Sequence, residues 1–225
     1  MKNISLLLAF LFLCLISVGQ VVSEIDFDEI KAEINDPKSV MYYPDLVKRL
    51  SKLDTNLTDD DYKHLYYGQV FFDAYSPYSE TDLVEAFYEK YEAKDYKKAL
   101  KLGKKAIKKS PVNIRLFLRM MVCYHQLDDI PTARAYAQHY FAFLYAILDS
   151  GDGKSIETAM VVANVHDEYE VCNYLELDVI AQKLVGRTDV LTLDLEAQEG
   201  PRKVEEIYFD VSMPFSSMSK MFKEK

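Results

Sequence analysis

The chain has 225 residues with 36 acidic and 27 basic side chains, a formal net charge of -9, and that balance argues against a nucleic-acid partner. Gly is scarce at 7 residues and Trp is absent, while Tyr reaches 17. Such a composition excludes a collagen-like or low-complexity chain and suits a compact helical protein faced with amphipathic rings.

The opening residues, MKNISLLLAFLFLCLISVGQ, place Lys2 before an apolar run from Ile4 to Ile16, followed by the small residues Ser17 and Gly19. This is the order of a secretory signal peptide. A spanning helix needs about 20 apolar residues, more than the run supplies. Residues 1–19 are therefore read as a signal, with cleavage after Gly19 or after Ser23. Leu13 precedes Cys14 where lipid attachment requires a small residue. The mature chain is expected to be exported, periplasmic or extracellular, without membrane insertion. About 200 residues remain, enough for one large domain or two small ones. Cys123 and Cys172 remain as well; an oxidising compartment permits their pairing, but the helix-like patterns around both, some fifty residues apart, favour buried free thiols.

Helix signals then follow in order. Phe27, Ile30 and Ile34 share one face between Asp26 and Asn35, and Pro44 opens a second helix toward Leu53 from the favoured first position. In "LTDDDY", Thr58 and Asp61 have the spacing of a capping box, and Leu57 and Tyr62 that of a hydrophobic staple. Ser79 and Asp82, flanked by Tyr78 and Leu83, repeat the device after the turn "AYSPYS". Asn56-Leu57-Thr58 also matches a glycosylation sequon, although capping accounts for these residues. The Tyr-rich segment "HLYYGQVFF" at 64 to 72 reads as core helix rather than as an aromatic ligand platform.

Leu83, Ala86, Asp95, Tyr96 and Ala99 recur 34 residues later as Phe117, Met120, Asp129, Ile130 and Ala133. With Pro111 and Tyr124, this pattern resembles the tetratricopeptide repeat, a helix-turn-helix unit. Phe87 and Met121 stand where that family usually has glycine, and Gly103 and Ala137 where it has an aromatic. The segment "DYKKALKLGKKAIKKSP" then resembles the second helix of a unit. Ala99, Leu102, Gly103, Ala106 and Ile107 form its apolar stripe, and seven lysines from Lys97 to Lys109 its wet face. Residues 86 to 125 carry 11 basic and 3 acidic side chains, which leaves acidic partners open. The resemblance implies that the first helix of each pair faces the ligand, giving a groove of Val84, Tyr88, Tyr91, Arg115, Val122 and His125.

Beyond Leu148 the pattern changes. "DSGDGKS" is a turn, "TAMVVANV" a strand, "DEYEVCNYLEL" a helix, and "DVIAQKLVG", "DVLTLDLEA" and "VEEIYFDVS" three further strands. The expected fold is α+β: a helical, tetratricopeptide-like domain over 24–148, then a small unit over 151–225 with an antiparallel sheet, packed on the last long helix. Gly153-Lys154-Ser155 ends like a phosphate-binding loop, but a helix precedes it and Leu148 replaces the first glycine. Asp149 and Asp152 lack calcium-loop spacing. His166 and Cys172 lie about 120° apart on a helix, so they do not form a thiol–base pair. His64, His125 and His139 show no metal-ligand spacing, and no cofactor is expected.

At larger scale the chain resembles a family of secreted Bacteroides-type proteins, the domain-of-unknown-function family DUF4919. The resemblance is carried by "YYPDLVKRL", "YKHLYYGQVFFDAYSPY", "GDGKSIETAMVV", "HDEYEVCNYL" and "YFDVSMPFSSMSKMF". It implies an envelope or secreted location and no established activity. The expected function is a non-catalytic interaction module or scaffold binding a protein, peptide or glycan. The alternative is a glycan-processing or hydrolase-like enzyme with a tyrosine-lined pocket at the junction of the two units, near His166, Asp167 and Glu168.

Overall fold

The computed structural model describes residues 25–73, 75–77, 81–201 and 203–223. The expected signal, residues 1–19, and the expected cap and staple residues Ser79 and Tyr78 lie outside them. α1 (Phe27–Asn35) is capped by the Asp26 carboxylate, which accepts from the backbone of Asp28 and Glu29, and it buries Ile30 and Ile34. α2 (Tyr43–Ser51) begins one residue before Pro44, which thus takes the second helical position rather than the first. It stops at Ser51, short of the expected Leu53, whose φ of 54° is left-handed and incompatible with continuing the helix.

α3 (Asp59–Gly68) starts with the full capping box, Thr58 and Asp61 each holding the other's backbone N–H. Arg49 of α2 bonds to Asp54 at 2.8 Å and Asp61 at 3.0 Å, locking the approach to this helix. Tyr62, Leu65, Tyr66 and Tyr67 of α3 are all buried. Because its rings point in several directions and still find no solvent, α3 is the central helix of the molecule. α4 (Asp82–Glu92) begins at Asp82, with Thr81 as its cap residue. The expected Ser79–Asp82 box rests on Ser79, outside the described residues.

α5 (Tyr96–Lys109), α6 (Ile114–Gln126) and α7 (Ile130–Leu148) complete the helical part. α4 turns into α5 through Lys94 (φ 56°) and α6 into α7 through Asp128 (φ 61°). Each turn is followed at once by an aspartate cap, Asp95 on the N–H of Lys98 and Asp129 on the N–H of Thr132. The same corner is thus built twice. Ala99 and Ala133 are buried at equivalent places in the helices that follow. At Gly103 a Cβ would lie 2.3 Å from the Met120 sulfur and 3.1 Å from the Phe87 ring, which explains a glycine where the repeat pattern has an aromatic.

β1 (Met160–Val161), α8 (Val165–Tyr174), β2 (Val179–Val185), β3 (Thr188–Leu193) and β4 (Glu206–Asp210) follow, then α9 (Ser212–Lys223). The fold class is α+β as expected. The sheet, however, is mixed and not antiparallel: its order is β1-β4-β3-β2, and β1 runs parallel to β4. β1 reaches β4 only after a crossover through α8 and the β2–β3 hairpin, and such a connection returns the chain in the same direction. β1 is also much shorter than "TAMVVANV", because Asn164 already caps α8 on the N–H of His166. α9 was not expected; Asp210 accepts from the Ser212 N–H and turns the chain out of the strand.

The buried side chains form one cluster running from Ile30 in α1 to Val211 after β4. Enlarging Ala99 or Ala133 to Leu is expected to overpack the helix crossings and destabilise by about 1–3 kcal/mol. Denaturant midpoints of the two variants check this, and unchanged midpoints would contradict it.

Candidate functional site

A cavity of about 320 Å³ opens where α2, α4, α6 and the start of α8 converge. Its floor is aromatic and aliphatic. Tyr43 stacks on Phe72 with ring centroids 4.4 Å apart, and Val47 and Val84 continue the surface. The floor tyrosines spend their hydroxyls on backbone: Tyr43 donates to the carbonyl of Leu65 at 3.3 Å and Tyr75 to that of Ala163 at 2.5 Å.

The opposite wall is polar, with Arg115 from α6, Asn164, His166 and Asp167 from the start of α8, and Lys109 from the end of α5. Asp167 is buried, and its Oδ2 accepts from the Tyr66 hydroxyl at 2.7 Å. The same hydroxyl accepts from the N–H of Ala163 at 3.0 Å. Burial pushes the Asp167 carboxyl up to about 7, against the opposing effect of the Tyr66 bond. Arg115 lies over the Tyr88 ring, 5.3 Å from its centre, and its Nε is 3.6 Å from Glu170. Tyr140 donates to the other oxygen of Glu170 at 3.4 Å.

The groove residues expected from the repeat pattern are divided. Val84 and Arg115 line the cavity, with Tyr88 beneath Arg115. Tyr91 packs against Phe87 and beneath Arg119. Val122 is half-buried and His125 exposed, and neither borders the cavity. The junction residues divide too. His166 and Asp167 line the cavity, whereas Glu168 is fully buried on another face of α8. No donor among the described residues reaches either Glu168 oxygen. Its carboxyl is pushed up to about 9, first by burial and then by the neighbouring Asp189. A protonated Glu168 has no negative charge to desolvate beside Asp189. Cys172 is a free, buried thiol pushed up to about 12 by burial, and Cys123, likewise free and buried, up to about 11. Neither is a poised thiolate.

The lysines behave as a wet helix face, with Lys101, Lys104, Lys105 and Lys108 exposed. Lys109 differs, since it reaches the cavity rim. The Tyr66 hydroxyl was missed as well; only its place in a tyrosine run marked it. The "GDGKS" turn is structural. A Cβ on Gly151 would meet the Ala159 carbonyl oxygen at 2.5 Å, and Asp152 holds both the N–H and the ammonium of Lys154. His139 is bonded to the Tyr62 hydroxyl at 2.6 Å and pushed down to about 4 by burial, while His64 lies between the Asp60 carbonyl and Glu33. Among the described residues no group of three or more His, Cys, Asp or Glu side chains is placed to hold a metal, and no helix is long and apolar enough to cross a membrane.

The model of the family described as Domain of unknown function (DUF4919) matches residues 28–220, and the chain belongs to that family. No curated protein and no solved structure matches it.

The raised carboxyls fix a pH dependence. Asp167 and Glu168 release their protons near 7 and 9 when folded, against ordinary values of 3.8 and 4.5. The folded chain therefore holds protons that the unfolded chain has lost, and stability falls as pH rises between those limits, at ~1.4 kcal/mol per pH unit per proton. Urea midpoints are expected to drop from pH 5 to pH 9 and to drop less in Glu168→Gln. A midpoint rising over that range would contradict the assignment.

Proposed function

We propose that the protein is an exported, non-catalytic binding module of the cell envelope, with the cavity at its ligand site and tetratricopeptide-like hairpins as its frame. Export is supported by the signal pattern of residues 1–19, and the hairpin frame by the twice-built corner at Lys94 and Asp128. The observation that carries the binding reading is one cavity lined by Arg115 from the helical part and Asp167 from α8 together with aromatic and aliphatic side chains. Concave, mostly apolar sites with a few placed polar groups are what ligands occupy. The partner is a peptide, protein or glycan that inserts one group there.

A hydrolase-like reading would use Asp167, held near neutrality, as a general acid. Glycoside hydrolysis needs a second carboxyl across the scissile bond. Here Glu168 is turned into the sheet and Glu170 is engaged by Arg115 and Tyr140, so binding is the better-supported function.

The test begins with the native protein recovered from its compartment and its bound partner identified by mass spectrometry. Tyr88→Ala with Arg115→Ala is then expected to weaken that partner at least tenfold. Reversing Lys101, Lys104 and Lys108 to Glu is expected to change encounter rate and salt dependence with little change in affinity at moderate salt. The opposite pattern would move the site to the lysine face.

A further inference from the structure

The sheet order β1-β4-β3-β2 puts β2 at an edge, with β3 as its one neighbouring strand among the described residues. In an antiparallel ladder alternate residues turn their N–H and C=O away from the partner, so β2 carries a row of main-chain groups that face outward. Soluble proteins usually blunt such an edge with proline, charge, a bulge or a covering segment. Here Ala181 to Val185 pair regularly with β3, and the one irregularity lies before them, at Ile180. Every residue from Ile180 to Val185 is exposed, Ile180 at 64% and Leu184 at 51%. We infer that β2 is a docking edge for a second copy of this chain, the two β2 strands pairing antiparallel across a twofold axis near their middle. The inference is independent of the cavity.

Two observations select a second copy as the occupant. The first is that the polar side chains of β2 are spent within the chain. Gln182 accepts from the Tyr169 hydroxyl at 2.7 Å and donates to Asp189 at 2.8 Å, and the Lys183 ammonium reaches over β3 to Glu206 of β4 at 2.6 Å. What β2 offers a partner is therefore apolar, with Ile180 and Ala181 toward one end and Leu184 and Val185 toward the other. An antiparallel copy sets apolar side chains against apolar ones. The second is that the ends of the strand differ in sign. Glu176 and Asp178 precede it and Arg187 follows it, all three exposed. Antiparallel pairing brings Arg187 of each copy to the Glu176 and Asp178 end of the other, whereas parallel pairing would set like charges together. The edge is thus complementary to itself, and a twofold axis uses each edge once, closing the assembly at two copies. A strand pair alone is a small interface, so the dimer is expected to be weak.

Analytical ultracentrifugation of the mature chain tests this, over concentrations from about 1 to 300 µM, the range of a weak complex. The sedimenting mass is expected to rise from that of one copy to that of two. Ile180→Lys and Leu184→Lys change exposed positions, so melts in dilute solution are expected to stay as in the parent chain while the dimer weakens about tenfold or more. Arg187→Glu sets like charges together at both ends of the strand pair, and so does Glu176→Lys with Asp178→Lys. Each of these two proteins alone is expected to dimerise about threefold or more weakly than the parent chain. Mixed with one another they match opposite charges at both ends, and the mixed dimer is expected to regain the parent affinity. That recovery marks the antiparallel arrangement and does not follow from general stickiness. A single copy at every concentration overturns the inference, as does a dimer indifferent to both Ile180→Lys and Leu184→Lys. A mixture of the charge variants that stays as weak as its components overturns the antiparallel pairing and with it the inference.

Discussion

A tyrosine hydroxyl buried in the centre of a protein must find partners or cost the molecule its desolvation. Tyr66, fully buried in the central helix, meets that constraint by donating to Asp167 and accepting from the N–H of Ala163. Its neighbour Tyr67 reaches the carbonyls of Ala146 and Val161, and Tyr75 that of Ala163. Three hydroxyls from α3 and the segment after it thus hold the stretch from β1 into α8. Where α8 begins, and which of its side chains border the cavity, follows from those bonds.

Helix geometry then distributes the acidic residues of α8. Asp167, Glu168 and Glu170 project about 100° apart per residue, so they cannot share one environment. Asp167 faces the cavity and Tyr66, Glu168 faces Asp189 in the sheet, and Glu170 faces Arg115 and Tyr140. One short acidic helix therefore contributes polar lining to the cavity, a buried carboxyl beside Asp189 and a counter-ion for Arg115. The last of these keeps Arg115 beside the cavity while Tyr88 supports it from the ring side.

What was legible in the sequence was local. The Thr58–Asp61 box, the Phe27–Ile30–Ile34 face of α1 and the lysine face depend on residues within a few turns of each other, and all are present. The parallel β1–β4 pairing was not legible, because a two-residue strand carries almost no pattern and its partner lies beyond a helix and a hairpin. Nor was the cavity. The groove and junction residues read as rival sites, and only part of each set, Val84 and Arg115 with His166 and Asp167, is brought by packing to one cavity. Tyr66 was correctly read as core, yet its partner lies 101 residues along the chain, beyond any periodicity.

The account stands on the Tyr66–Asp167 bond as the tie between the helical part and α8. A double-mutant cycle of Tyr66→Phe and Asp167→Ala, read as unfolding free energy at pH 6, tests it most directly. The account predicts a coupling above about 1 kcal/mol, as for residues sharing a buried hydrogen bond. Additivity within about 0.5 kcal/mol, the behaviour of independent sites, would contradict it.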